Sequence, residues 1–359
     1  MQDKTALQAQ MFANRLQKRF HHLKKWAQRK NIGAFRLYDR DIPEIPLVLD
    51  FYGDCGSPCE AALCGSLYKR PYEKDEAEEE CWLLAMKESA SSSLGIKYKN
   101  IFIKQRKKQK GLSQYEKLGN KSYEKIVNEG NLFFKVNLSD YLDTGLFIDR
   151  RLLREMVLNE SNGKKVLNLF SYTGAFSVCA AAGGAASTDS VDLSNTYLNW
   201  ARENFELNGF KADLMKKNST VNYANDHDQM KKKEKGAHRL IRADVIEFVN
   251  IKIKEKKRWD IIIVDPPAFS NSKKMSDNFD LNRDLEDLLN QCLTLLSPNG
   301  KIFTSVNLRR KAPSANELEE NLRNSNGYAN VRVTDISART ADEDFTGKKM
   351  PKTFLIERR

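Results

Sequence analysis

The stretch DIIIVDPPAFSNSKKM, Asp260 to Met275, decides how the chain is read. Ile261 to Val264 have the β-branched composition of a buried strand, and they run straight into Asp265, Pro266, Pro267 and Phe269. Proline offers no N–H to a ladder and fixes its own φ, so the strand has to stop at Asp265 and the backbone after it is stiff. An acid and an aromatic ring are thereby held at the carboxyl end of a strand, where open α/β sheets take their ligands.

Working outward, the second half of the chain alternates strand-like and helix-like runs from Lys164 onward: KVLNLF, GAFSVCAAAGG, ASTDSVDLS, TYLNWARENFELNG, RLIRADVIEFV, WDIIIVDPP, DLEDLLNQCLTLLSPNG and KIFTSVN. That alternation predicts an α/β doubly wound, mostly parallel sheet. Residues 210–237 are polar, lysine-rich and aperiodic, and are expected to form an exposed insertion loop. Upstream, Phe12, Leu16, Phe20, Leu23 and Trp26 recur at helical spacing in an N-terminal amphipathic helix with a basic outer face, within residues 1–34. Strand-like runs around an acidic helix then predict a small α+β domain over residues 35–142, with Trp82, Leu83, Leu84 and Met86 turned to its sheet.

Bulk properties narrow the partner. The 359 residues carry a net charge of +12 at a sequence pI near 9.2, which suits a polyanion such as nucleic acid. No apolar run approaches the ~20 residues of a membrane span, and MQDKTALQAQ lacks the apolar stretch of a signal peptide, so a cytoplasmic protein without a membrane partner is expected. Cys55, Cys59, Cys64 and Cys81 have no recognised zinc spacing and no nearby histidine, so no metal is expected.

Three further strand ends carry polar groups. NLFSYTGAFS is a small-residue turn entering a helix whose first N–H groups are free for a ligand, though it is not the G-x-G-x-x-G of a pyrophosphate cradle. Asp192, in SVDLS, follows that turn by about twenty residues, where an acid can accept from both ribose hydroxyls. Asp244, in HRLIRAD, can accept from an exocyclic amine. Acids at successive strand ends, followed by the D-P-P-x-F exit, form one constellation.

That constellation resembles the Rossmann-like class I S-adenosylmethionine-dependent methyltransferases. Longer phrases, MFANRLQKRF, FRLYDRDIPE, VNLSDYLDTGLFIDRR, NLFSYTGAFSV, VDLSNTYLNWARENFELNG, HRLIRAD and DPPAFSNSKKM, resemble in order the K half of the bifunctional RlmKL family of 23S rRNA guanine methyltransferases, which makes N7-methylguanine. The resemblance implies a methyltransferase domain over residues 143–359 and S-adenosyl-L-methionine as cofactor. It places Asp149 and Arg150 beside the methionine end, and wraps the cofactor with Phe170, Ser171, Tyr172, Thr173 and Gly174. Asp192, with Leu193 and Ser194 after it, would hold the ribose, and Asp244 with Val245 the adenine; Asp265 would touch the cofactor and, with Pro266, Pro267 and Phe269, face the target base. It also implies 23S rRNA or a large-subunit precursor as partner, with the THUMP-containing guanine-N2 half supplied by a separate protein.

Guanine N7 already carries an in-plane lone pair, so its methylation needs orientation rather than proton removal. A cytosine-C5 enzyme, the alternative of the same fold, needs a cysteine to add to the ring. FTSVN and the D-P-P exit hold none, and Cys292 falls in mid-helix. An RNA-binding assembly factor with weak catalysis is the alternative of another class. RNA capture is assigned to KQRKKQKG, through Lys104, Arg106, Lys107, Lys108 and Lys110.

Overall fold

The computed structural model describes residues 2–70, 72, 75–105, 122–215, 237–267, 269–270, 279–307, 312–326 and 330–358. The chain divides into two units, Met1–Ile148 with Asp342–Lys348, and Asp149–Ala341 with Lys349–Arg359.

In the first unit, α1 (Gln2–Lys30) buries Phe12, Leu16, Leu23 and Ala27. They pack into the same apolar core as Phe35, Leu49, Phe51 and Trp82, so the helix is part of this unit instead of a separate segment over 1–34. Strands β1 (Ala34–Asp39), β2 (Leu47–Tyr52), β3 (Ala62–Leu67) and β4 (Ile101–Gln105) lie in that order, antiparallel except for the parallel β3–β4 pair. A parallel pair needs a crossover, and α2 (Glu76–Leu94) supplies it. Its buried residues are Trp82, Met86, Ala90 and Leu94, whereas Leu84 is 49% exposed. Two residues along a helix turn the side chain by about 200°, so Leu84 cannot share the face of Trp82 and Met86. β5 (Glu124–Glu129) and β6 (Leu132–Asn137) form an antiparallel hairpin. The late segment Asp342–Lys348 completes the unit: Asp344 accepts from the Arg36 N–H at 2.9 Å, and Lys348 is paired with Asp41.

The second unit is built on eight strands. They are β7 (Lys165–Leu169), β8 (Ser187–Asp192), β9 (Ala212–Met215), β10 (His238–Arg242), β11 (Trp259–Val264), β14 (Leu296–Val306), β15 (Val331–Asp335) and β16 (Lys352–Arg358); the short pair β12 (Phe269–Ser270) and β13 (Phe279–Asp280) stands apart. Their order is β15-β16-β14-β11-β7-β8-β10-β9, parallel throughout except that β16 runs against both its neighbours. Helices α3 (Arg151–Glu160), α4 (Ala175–Ala182), α5 (Asn195–Leu207), α6 (Val245–Lys254), α7 (Leu281–Thr294) and α8 (Ala315–Asn326) make the crossovers or follow them.

Alternation along the strands feeds two cores. Leu167, Leu169, Ile262, Val264 and Ile302 face α6, α7 and α8, while Val166, Ile261, Ile263 and Phe303 face α3 and α4. Both faces are covered, so the strands read as continuous apolar runs. Within the segment expected as an insertion loop over 210–237, β9 pairs in parallel with β10, and residues 216–236 lie outside the described residues. Ala212 is buried while Met215 is 37% exposed, the mixed pattern of an edge strand.

Candidate functional site

Chain order moves from β7 outward to β8 and β10, then returns to β11 on the other side of β7. Between β7 and β11 the winding reverses, which opens a crevice at their carboxyl ends. The two turns bordering it are Phe170–Gly174 after β7 and Asp265–Pro267 after β11.

The first turn is bent sharply. Phe170, Tyr172 and Gly174 have φ of 55°, 50° and 74°, a left-handed conformation that is uncommon for residues with a Cβ. Strain of this kind persists where its surroundings over-determine it. The Ser171 N–H donates to the Val191 carbonyl at 2.9 Å, and the Tyr172 N–H to an Asp192 carboxylate oxygen at 2.9 Å. At Gly174 a Cβ would lie 2.8 Å from the Ala201 Cβ, so glycine lets α4 and α5 approach. No side chain caps the start of α4. Ser171 is buried, and its Oγ has no hydrogen-bond partner among the described residues.

Asp192 ends β8 with its carboxylate surrounded by amides. The Ser194 N–H donates to its second oxygen at 2.8 Å. Burial pushes the carboxyl up to about 6, outweighing the backbone hydrogen bonds that favour its charge. Ser194 caps α5, accepting from the Tyr197 N–H at 3.3 Å, and the Tyr197 ring meets Tyr172 edge-on with centroids 4.5 Å apart. Asp244 caps α6 by accepting from the Glu247 N–H at 3.0 Å. Val245 is buried in the core beneath it and offers the site backbone only.

Across the crevice, Asp265 is held by a guanidinium. Arg150 Nε lies 3.2 Å from both Asp265 oxygens and Nη2 lies 3.1 Å from Oδ1, while Nη1 donates to Asp149 at 2.6 Å. Arg150 is 8% exposed. Burial opposes its charge, but Asp149 and Asp265 outweigh that and keep it protonated. Burial also raises the Asp265 carboxyl above its ordinary value, against the pull of Arg150. Pro266 is buried and Pro267 half-buried. The backbone then pairs Phe269 with Asp280 and Ser270 with Phe279. Phe279 is buried, and its ring lies 5.3 Å from that of Phe170.

The strand-end candidates from both borders are therefore assembled on one edge of the sheet. Arg150 enters as the partner of Asp265, an ion pair spanning 115 residues that no local pattern announces. Phe279 and Tyr197 join the site as well, and the local signal for each is an aromatic beside a helix start. In the first unit, Lys104 Nζ donates to the Tyr141 carbonyl at 2.5 Å and to that of Leu142 at 3.4 Å, so its ammonium is already engaged. Arg106, Lys107, Lys108 and Lys110 lie outside the described residues.

A doubly wound sheet with one reversed strand, a glycine-ended turn at the switch point and acids after the next strands define a class I methyltransferase. Residues 66–347 match the S-adenosylmethionine-dependent methyltransferase family, and the chain belongs to that family. It is 41% identical over 345 residues to the ribosomal RNA large subunit methyltransferase K of Neisseria meningitidis, covering 96% of this chain and 86% of that one. It is 43% identical to the K/L methyltransferase of Hahella chejuensis, of whose length it spans 38%. In fold it resembles a SAM-dependent methyltransferase structure from Streptococcus mutans, with a TM-score of 0.68 at 24% identity over 97% of this chain and 81% of that one. A SAM-dependent methyltransferase from Agrobacterium tumefaciens aligns with a TM-score of 0.53 at 19% identity over 87% of both chains.

The residues present fit S-adenosylmethionine. Asp192 offers a carboxylate to paired hydroxyls, Ser171 a buried hydroxyl in need of a partner, and α4 an uncapped amino terminus.

Proposed function

We propose that the chain transfers a methyl group from S-adenosylmethionine to guanine N7 in the RNA of the large ribosomal subunit. The observation that carries the choice of chemistry is the position of the cysteines. Cys55, Cys59, Cys64 and Cys81 belong to the first unit; Cys179 and Cys292 are buried within α4 and α7. None stands at a strand end of the crevice. Cys292 is fully buried among leucines, and burial holds its thiol far from ionisation. Addition to C6 of a cytosine requires an accessible thiolate, so the geometry favours a target whose reactive atom needs no covalent activation.

Guanine N7 is such an atom. Its lone pair lies in the ring plane, and transfer requires that it approach the methyl-bearing sulfur in line, which makes catalysis largely positional. In this reading the Asp192 carboxylate accepts from the ribose hydroxyls, Asp244 from the adenine amine, and Phe170–Gly174 curve around the methionine portion beside Asp149 and Arg150. The Asp265 turn, stiffened by Pro266 and Pro267 and clamped by Arg150, presents the edge against which the base is held. Stacking on the base is assigned to Phe269 by the family resemblance; its side chain lies outside those described. The cofactor supplies the electrophilic methyl group when bound.

The rRNA assignment is supported by the names of the Neisseria and Hahella relatives, and the N7 assignment by the resemblance of the chain to the K half in particular. A net charge of +12 suits the substrate. The RNA-binding segment around Arg106 to Lys110, and a separate THUMP-containing guanine-N2 methyltransferase as partner, belong to the same proposal.

Product identity tests it. Large-subunit rRNA lacking its own modification is incubated with the protein and labelled cofactor, digested, and its nucleosides weighed. The expected product is 7-methylguanosine, and borohydride followed by aniline should cleave the RNA at the labelled site. Label in 5-methylcytidine, with RNA resistant to aniline, would overturn the N7 reading.

A further inference from the structure

The amino-terminal 38 residues have an unusual charge distribution. From Lys4 to Tyr38 there is no Asp or Glu, although the average of the chain, 48 acids in 359 residues, would put about five there. Some of the cations in this stretch hold the unit together: Arg15 pairs with Asp41, Arg36 with Asp39 and Asp50, and Arg19 donates to the Asp344 carbonyl. Lys18, Lys25 and Arg29 do none of this. All three are exposed on α1, and no carboxylate lies within ion-pair distance of them among the described residues.

At 100° per residue these three fall within about 40° of one another, and they extend roughly 16 Å along the helix. They lie opposite the buried face formed by Phe12, Leu16, Leu23 and Ala27. The neighbouring helix has the reverse character: α2 carries Glu76, Glu78, Glu79, Glu80 and Glu88 against Lys87 alone. The two helices touch through Trp82 Nε1 donating to Gln8 and Gln17 donating to the Ser93 carbonyl, so α2 ends where the cationic part of α1 begins. A helix whose surface served only solubility would mix signs along its length. Here cations dominate a rigid ridge; Glu343 meets it at His22, 2.7 Å away, and lies beyond ion-pair distance of Lys18, Lys25 and Arg29.

We propose that Lys18, Lys25 and Arg29 form a phosphate-tracking ridge that docks the backbone of the RNA substrate, a role resting on the reading of that substrate given above. A row of unpaired cations on a packed helix fits a polyanion with evenly spaced charges. It contacts phosphates without reading bases, and so contributes affinity and register rather than sequence choice.

The test is the full-length triple variant Lys18→Ala, Lys25→Ala, Arg29→Ala. Alanine is the best helix former, so α1 is retained and circular dichroism should be unchanged. Affinity for a large-subunit rRNA fragment should fall at least tenfold near physiological salt, and the slope of log affinity against log salt should flatten by about two to three. KM for RNA should rise with kcat kept, while affinity for S-adenosylhomocysteine stays the same. An unchanged slope and KM, in a protein that does methylate rRNA, would overturn the ridge and leave the function standing. Conversely, stripe-dependent RNA binding without methyl transfer to rRNA would remove the function and leave the ridge. Binding to phosphatidylserine vesicles that the variant loses, with RNA affinity intact, would assign the ridge to a lipid surface and overturn the proposal.

Discussion

Asp192 and Asp265 end strands on the two sides of the same crevice, yet they are held in opposite ways. Asp265 is answered by a charge: the Arg150 guanidinium closes on both its oxygens and reaches Asp149 as well. Asp192 is answered by amides alone, through the N–H groups of Tyr172 and Ser194, and the Ser171 hydroxyl has no partner among the described residues. The β11 border answers its acid with a cation, whereas the β7–β8 border answers its acid with neutral amides and leaves a buried hydroxyl unsatisfied among the described residues. A border of the first kind serves as a fixed wall. One of the second kind gains stability when a ligand brings hydroxyls to it.

The largest effect expected from this contrast is on the closed side. Arg150→Ala leaves two acids near a buried position without their cation, which should cost about 3–5 kcal/mol of unfolding free energy. Denaturant titration of the full chain measures it. Adding Asp265→Asn should restore part of the loss, because the uncompensated charge is then removed with its partner. A loss under 1 kcal/mol for Arg150→Ala would mean that the pair does not hold the turn.

On the open side the same kind of change should act on binding rather than on folding. Asp192→Ala is expected to weaken S-adenosylmethionine by about 2 kcal/mol, roughly thirtyfold, since the proposed charged acceptor of two hydroxyls is gone. Its stability should move the other way. An acid raised from 3.8 to about 6 favours the folded state when protonated. That contribution is complete below pH 3.8, is lost as pH climbs to about 6, and leaves the ionised carboxylate as a cost of up to ~3 kcal/mol at neutral pH. Asp192→Asn should therefore be at least as stable as the unaltered chain at pH 7.5 while binding cofactor worse. A loss of stability comparable to that of Arg150→Ala would erase the distinction between the two borders.

A smaller effect follows from the same shift. Hydroxyl donors stabilise the ionised carboxylate, so binding should lower the pKa of Asp192 and release a proton around pH 5 to 6. Cofactor affinity should improve as pH rises to about 6 and level off above it. Calorimetry in two buffers of different ionisation enthalpy measures the proton directly. Asp192→Asn should abolish the release, and its persistence in that variant would move the titration to another group.

The contrast also marks how far the sequence could be read. The abrupt end of β11, the acids closing β8 and β10 and the turn after β7 were legible because each rests on residues adjacent in the chain: prolines after an apolar run, a small-residue turn before a helix. The doubly wound order followed from the alternation after Lys164. What was not legible was long-range. The Arg150–Asp265 pair joins segments 115 residues apart. Asp342–Lys348 completes a unit begun more than three hundred residues earlier, as the bond from the Arg36 N–H to Asp344 shows. β9 escaped because four residues with a polar edge carry too little periodicity to stand out from the lysine-rich stretch after them. In α2 the run of apolar residues suggests one face for Trp82, Leu83, Leu84 and Met86, but helical geometry turns Leu84 away from the face of Trp82 and Met86.

The smallest expected effect sharpens the comparison most directly, because it concerns one hydroxyl. Ser171 Oγ is buried and lacks a hydrogen-bond partner among the described residues, in a turn whose backbone is otherwise tied to Val191 and Asp192. A buried hydroxyl without a partner costs the folded state about 1–3 kcal/mol in the limit, so its removal should not destabilise the protein. Ser171→Ala should therefore unfold at the same or a slightly higher denaturant concentration. If the cofactor completes this border, the same variant should bind S-adenosylhomocysteine more weakly by about 0.5–1.5 kcal/mol, the net worth of one hydrogen bond. The two measurements move in opposite directions only if the hydroxyl is kept for a ligand. A variant that loses stability and keeps its affinity would show that Ser171 supports the turn, and the β7–β8 border would then be as self-sufficient as the one closed by Arg150.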